Sequence, residues 1–361
     1  MLKSISIKNF RGIQRCSIDG FADVNAFLGR NGSGKSTILE SIYLASDWAN
    51  HYDKLHKENK VTYIILRRTG RGDWVNSRDV LWFGMDTNRE VEINLTFTTD
   101  TKMTFSLFDF ESEGHAWLKI PDDLRKSQEY DYCNISRSYL LSKKAKSQAG
   151  IPINSKNKLT ERYGKVVKFL EKITLIDTKI LMNPKLVEDF TWAKILSKRL
   201  DKHITKMIRE GFESDAEDIT YMPIGGTNVL ALKLSNTTVR IDDLGDGARN
   251  AVMIASILLT LNNTAVLIEE PENNQHPGGL KTLIEFILKS AKERKLQIFL
   301  STHSIETFRI LDKLCDDIGL RLKTFFLERN KDGLVDVRSM ERVDVDILLK
   351  LGLDPRFLDV I

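Results

Sequence analysis

Residues 29–37 read Gly29-Arg30-Asn31-Gly32-Ser33-Gly34-Lys35-Ser36-Thr37. The first eight fit the pattern GxxxxGK[ST]. An apolar run, NAFL, precedes them, and a stretch with helical spacing, ILESIYLASDWA, follows. Strand, glycine-rich loop and helix in that order form a phosphate-binding loop. The glycines let the backbone wrap closely around phosphate oxygens, with Asn31, Gly32 and Gly34 shaping the turn. The helix N-terminus adds partial positive charge. Lys35 is expected to reach the β- and γ-phosphates of ATP. Ser36 is expected to hold Mg²⁺, and Thr37 to donate to the α-phosphate.

Such a loop needs a carboxylate at the end of a second buried strand, where it orders Mg²⁺. Residues 265–277, AVLIEEPENNQHP, supply one. Two adjacent glutamates closing an apolar strand are costly without a partner. Glu269 is assigned to the metal, and Glu270 to the water that attacks the γ-phosphate. Glu272, after a proline, is expected to serve structure or a subunit contact. His303, in the next strand end LSTHS, is placed to donate to the γ-phosphate and sense it. His276-Pro277 shapes the turn into the next helix, since no second histidine or cysteine stands at ligand spacing.

The remainder of the chain fixes the fold class as α/β: a P-loop NTPase whose mixed sheet has an antiparallel N-terminal part and a parallel core. Residues 2–8, 24–28, 61–66, 91–98 and 101–108 read as strands, the last two forming a hairpin at Thr99-Asp100. From 111 to 220 the pattern becomes more polar, with helical runs such as FTWAKILSKRLDKHITKMI. After 221, strands and helices alternate to the end, as in a largely parallel sheet. Three parts follow: 1–110 as the first part of an ATPase head, 111–220 as a mainly helical insertion, and 221–361 as the second part.

Composition excludes little but agrees with this. Net charge is +4, too mild to prove a polyanion partner. The basic residues cluster, however: ten lysines and arginines lie between Arg137 and Lys172, against Glu161 and Glu171. That cluster is either a solvated face or a phosphate-backbone contact. No run approaches the roughly 20 apolar residues of a membrane span, so no membrane partner is expected. Cys16, Cys133 and Cys315 are scattered and form no CxxC, which suggests reduced thiols in a cytoplasmic protein.

NFRG, GRNGSGKST, DDLGDGARNA, LIEEPENNQHP and STHS occur here in the order seen in ABC-type ATPase heads of the SMC, RecF and overcoming-lysogenization-defect branch. The chain resembles that branch over about 1–110 and 220–361. The resemblance implies a homodimer with ATP at its interface, each subunit closing a signature loop on the other's γ-phosphate. Gly245 and Gly247, in Leu244-Gly245-Asp246-Gly247, take that position, without the usual serine. Arg249 is a candidate arginine finger, and Asn273, Asn274 and His276 fall in the subunit-contact loop. Arg11 of NFRG either lies near the nucleotide or pins the first strand turn. No glutamine between 61 and 110 can serve as a Q-loop. In its place stands LRRTGRGDW (66–74), where Arg67 or Arg68 reaches the nucleotide or forms a solvated turn.

Relatives of this branch often carry a Toprim nuclease domain. About 58 residues follow His303, too few for one, so Asp344-Val345-Asp346 is read as a helix start. Two functions are expected from the resemblance. One is an ATP-driven switch or motor on nucleic acid, in DNA repair or phage defence. The other is an ATP-sensing subunit that controls a separate nuclease or other effector protein.

Overall fold

Strands Ala265–Glu269, Gln297–Ser301 and Val24–Leu28 are mostly apolar and buried on both faces. Alternation then divides one run between two cores. Ala265 and Leu267 face one side, Val266 and Ile268 the other. This is the pattern of a parallel sheet covered on both faces. The computed structural model describes residues 1–69, 77–107 and 164–340, together with four short strands between 117 and 152. Asp344, Asp346 and most of the basic cluster lie outside the described residues.

The core sheet runs Thr174–Ile176, Ala265–Glu269, Gln297–Ser301, Val24–Leu28, Leu322–Arg329 and Val335–Met340. Its first five strands are parallel and the sixth is antiparallel. One face carries helices Asp246–Thr260, Pro277–Arg294 and Ile305–Ile318. The phosphate-loop helix, Lys35–Ala45, packs between the other face and an eight-stranded antiparallel sheet. That second sheet contains Leu2–Phe10, Ile13–Asp19, Val91–Phe97 and Lys102–Leu107. Buried Gln297 ties the two sheets together, bonding the Leu2 amide at 2.8 Å and the Leu2 carbonyl at 2.8 Å. Phe21, Phe27, Phe299 and Phe325 pack between the layers, Phe21 edge-on to the others.

One expectation needs correction. Residues 61–66 are not a strand but part of helix Lys60–Thr69. Val61, Ile64 and Ile65 recur at helical spacing and are buried against the phosphate-loop helix, so packing overrides the β-branched propensity. Residues 111–220, read as a mainly helical insertion, also contribute strands. Thr174–Ile176 pairs with Val266–Ile268 as an edge strand of the core sheet. Four short strands between 117 and 152 extend the antiparallel sheet. Helices Pro184–Ser197 and Asp201–Gly211 do form where helical runs were read, and the hairpin at 99–100 forms as expected.

Candidate nucleotide site

The C-terminal ends of the parallel strands converge on an open cleft of about 570 Å³. Arg11, Asn31, Gly32, Gly34, Lys35, Ser36, Thr37, Glu270 and His303 all line it, with Arg68 and Arg329 at its rim. Ligand sites of open α/β sheets lie at this edge. The loop bends through positive φ at Gly29, Gly32 and Gly34. At Gly29 any side chain would also meet the Leu327 carbonyl. Gly34 caps the helix with no side-chain bond, leaving the first-turn N–H groups available to an anion.

Lys35 folds back onto its own loop, donating to the Gly29 carbonyl at 2.8 Å and the Arg30 carbonyl at 2.9 Å. Burial pulls its pKa down to about 8, opposed by the charges of Glu270 and Glu272. A phosphate entering the cleft would replace those two carbonyls as acceptor and restore the charged form.

Glu270 stands just past its strand with φ 45°, a conformation unusual for a residue with a side chain. Its Oε1 lies 2.7 Å from His303 Nε2, and its Oε2 accepts from Asn273 at 2.9 Å. Glu272 is half-buried beside them. Its carboxylate accepts from the Thr302 hydroxyl at 2.6 Å and the His303 amide at 3.0 Å. It thereby holds the histidine's backbone, and burial raises its pKa.

Glu269, one residue earlier, does not line the cleft. It points into a buried network that the sequence reading missed. Its Oε2 pairs with Arg67, whose Nε also bonds Asp177 at 2.7 Å and whose third nitrogen reaches Glu40. Burial alone would lower the Arg67 pKa, but the three carboxylates more than reverse this and raise it. Burial raises that of Glu269 despite the arginine. Glu40 has no exposed side-chain surface and also receives Arg11 at 3.1 Å and Arg68 at 3.0 Å. The one available signal was Glu40 itself, a carboxylate within the apolar run of its helix.

Ser36 and Glu269 are hard oxygen donors of the kind Mg²⁺ takes alongside water and phosphate. Glu269 Oε1 is buried without a hydrogen-bond partner, so a free donor atom exists. Among the described residues no group of three or more His, Cys, Asp or Glu side chains forms a metal cage. Two such oxygen donors, one of them unpartnered, fit an ion held mainly by water and nucleotide.

Gly245 and Gly247 are absent from this cleft. Gly245 is exposed and begins helix Asp246–Thr260 without a side-chain cap. Gln275 donates to the Gly247 carbonyl at 3.0 Å, which joins this loop to the 270–276 segment. Arg249 pairs with Asp246 at 2.7 Å.

A family model described as an AAA ATPase domain matches residues 1–183 and 165–307. The chain belongs to this ATPase family. A Helicobacter pylori protein named ATP/GTP phosphatase is 25% identical over 370 residues, 93% of this chain and 94% of that one. The RecF DNA replication and repair protein of Streptococcus gordonii is 39% identical over 77 residues, 19% of this chain and 21% of its own. In fold, the chain is similar to an SMC head crystallised with the C-winged helix domain of ScpA. The TM-score is 0.55 at 15% identity, covering 95% of this chain and 98% of that one. The chain is an ATP-binding ATPase whose fold is similar to that of the SMC head. No helix among the described residues is long and apolar enough to cross a membrane.

Proposed function

We propose that this ATPase dimerises around Mg·ATP and acts as a switch or motor on nucleic acid, in DNA repair or phage defence. The observation that carries the reading is the Glu270–His303 pair, 2.7 Å apart on the wall of the phosphate-loop cleft. Lys35 and the loop amides bind the β- and γ-phosphates. Glu270 orients a water and accepts its proton as the water attacks the γ-phosphate. His303 holds the Glu270 carboxylate and donates toward the γ-phosphate. Arg11 stands at the cleft wall, held there by Glu40. Ser36 and Glu269 would hold Mg²⁺, which would supply positive charge to the phosphates when bound.

Two features support dimerisation. The loop at Gly245 is exposed and lies outside its own subunit's cleft, which leaves it available to a second copy's γ-phosphate. Its tie to Gln275 makes the signature and contact loops one surface. A third feature supports nucleic acid. Lys165, Lys168 and Lys172 join Lys292 and Lys295 around a second cleft of about 680 Å³. Asp23, Asn263 and Leu296 also line it and precede core strands, so it lies at the end opposite the nucleotide. Five lysines suit a phosphate backbone.

The missing hydroxyl at Gly245 favours a second reading, slow turnover in an ATP-sensing subunit that controls a separate nuclease or other effector protein. Light scattering of Glu270→Gln with saturating Mg·ATP tests the dimer, and a monomer under those conditions refutes it. ATP hydrolysis stimulated by duplex or single-stranded DNA supports the first function. A DNA-indifferent rate favours the second.

A further inference from the structure

Arg67 is only 6% exposed and reaches three carboxylates from three parts of the chain: Glu40, Asp177 and Glu269. Asp177 is fully engaged, accepting also from the Tyr63 hydroxyl at 2.8 Å and the Ile180 amide at 3.0 Å. Glu40 is crowded by Arg11 and Arg68. Glu269 is the least committed: it is the most exposed of the three at 13%, and its Oε1 has no partner. Arg67 is thus anchored on two sides and extends its Nη2 to the carboxylate assigned to the metal.

Three arginines face three carboxylates, so the cluster is neutral. A divalent cation approaching Glu269 meets an already compensated charge, and only the nucleotide brings surplus negative charge into the cleft. We propose that Arg67 is a positioning residue that competes with the divalent cation for Glu269, so that the cation binds together with nucleotide and not alone. The anchors at Asp177 and Glu40 keep Arg67 in place when Glu269 turns from it. This inference rests on the metal role of Glu269 and goes beyond it.

The test is the Mg²⁺ concentration at half-saturation for binding of a fluorescent ATP analogue, a readout that a purely structural strut does not move. Arg67→Gln frees Glu269 and should lower this concentration by about tenfold, the scale of one charge-assisted bond. Asp177→Asn removes a competing carboxylate, leaves Arg67 more fully on Glu269, and should raise it. An unchanged or raised value in R67Q overturns the proposal, as does an unchanged or lowered value in D177N. If R67Q does not fold, D177N alone decides. Glu269→Gln controls the underlying reading. A value unchanged by E269Q overturns the metal role of Glu269 and this inference with it. A shift in E269Q with none in R67Q and D177N overturns this inference alone.

Discussion

Glu40→Gln removes the one charge on which three guanidinium groups converge. The three losses are unequal. Arg67 keeps Asp177 and Glu269. Arg68 is 48% exposed, so solvent screens its pair, which is worth about 0–1 kcal/mol. Arg11 is 11% exposed and keeps only a neutral acceptor, the Ile64 carbonyl at 2.7 Å. Breaking a buried pair by removing one partner costs about 3–5 kcal/mol, because a desolvated charge is left behind. The variant is therefore expected to lose about 3–5 kcal/mol, nearly all of it through Arg11. Urea unfolding followed by tryptophan fluorescence measures this, since Trp48, Trp82 and Trp192 are buried. Arg11→Met, which removes the stranded cation, should recover much of the loss in the double variant. A loss below about 1 kcal/mol, or strictly additive single and double variants, refutes this reasoning.

Three further outcomes are expected. Lys35 in the free protein titrates near pH 8, and only its charged form serves the phosphates. ATP affinity should be level below pH 8 and fall by up to about tenfold per unit above it; a flat profile from pH 7 to 10 contradicts this. Gly29→Ala forces a side chain into φ 143° and against the Leu327 carbonyl. It should cost about 1–3 kcal/mol and remove ATP binding, and unchanged affinity by calorimetry would count against the loop geometry. Burial pushes the Cys16 and Cys315 thiols up to about 12. With Cys133 replaced by serine, a thiol reagent at pH 8 should react only as the protein unfolds, and prompt labelling would contradict that.

Much of the fold was legible because its determinants are local. Gly29–Thr37 carries its own turn chemistry, and the run from Ala265 to Glu269 declares a buried strand ending in charge. The hairpin at Thr99-Asp100 and the alternation after residue 260 are likewise written in nearby residues. The failures share a cause in long-range pairing. Thr174–Ile176 is three residues in a helical neighbourhood, and only its register with Val266–Ile268 makes it a strand. Val61–Leu66 has the residue types of a strand, and burial beside the phosphate-loop helix makes it helical. The partners of Glu269 were hidden for the same reason. Arg67 is 202 positions away along the chain, and no spacing rule connects them. The sequence leaves Arg67 and Arg68 between the nucleotide and a solvated turn; Arg68 reaches the cleft, while Arg67 turns inward.

The central claim is that hydrolysis occurs at this cleft with Glu270 as base. The most direct test is ATP turnover by wild type and Glu270→Gln at saturating Mg²⁺, with nucleotide affinity measured alongside. The account predicts a loss of about 10²–10⁴ in rate with ATP still bound. Equal rates in the two proteins would contradict it.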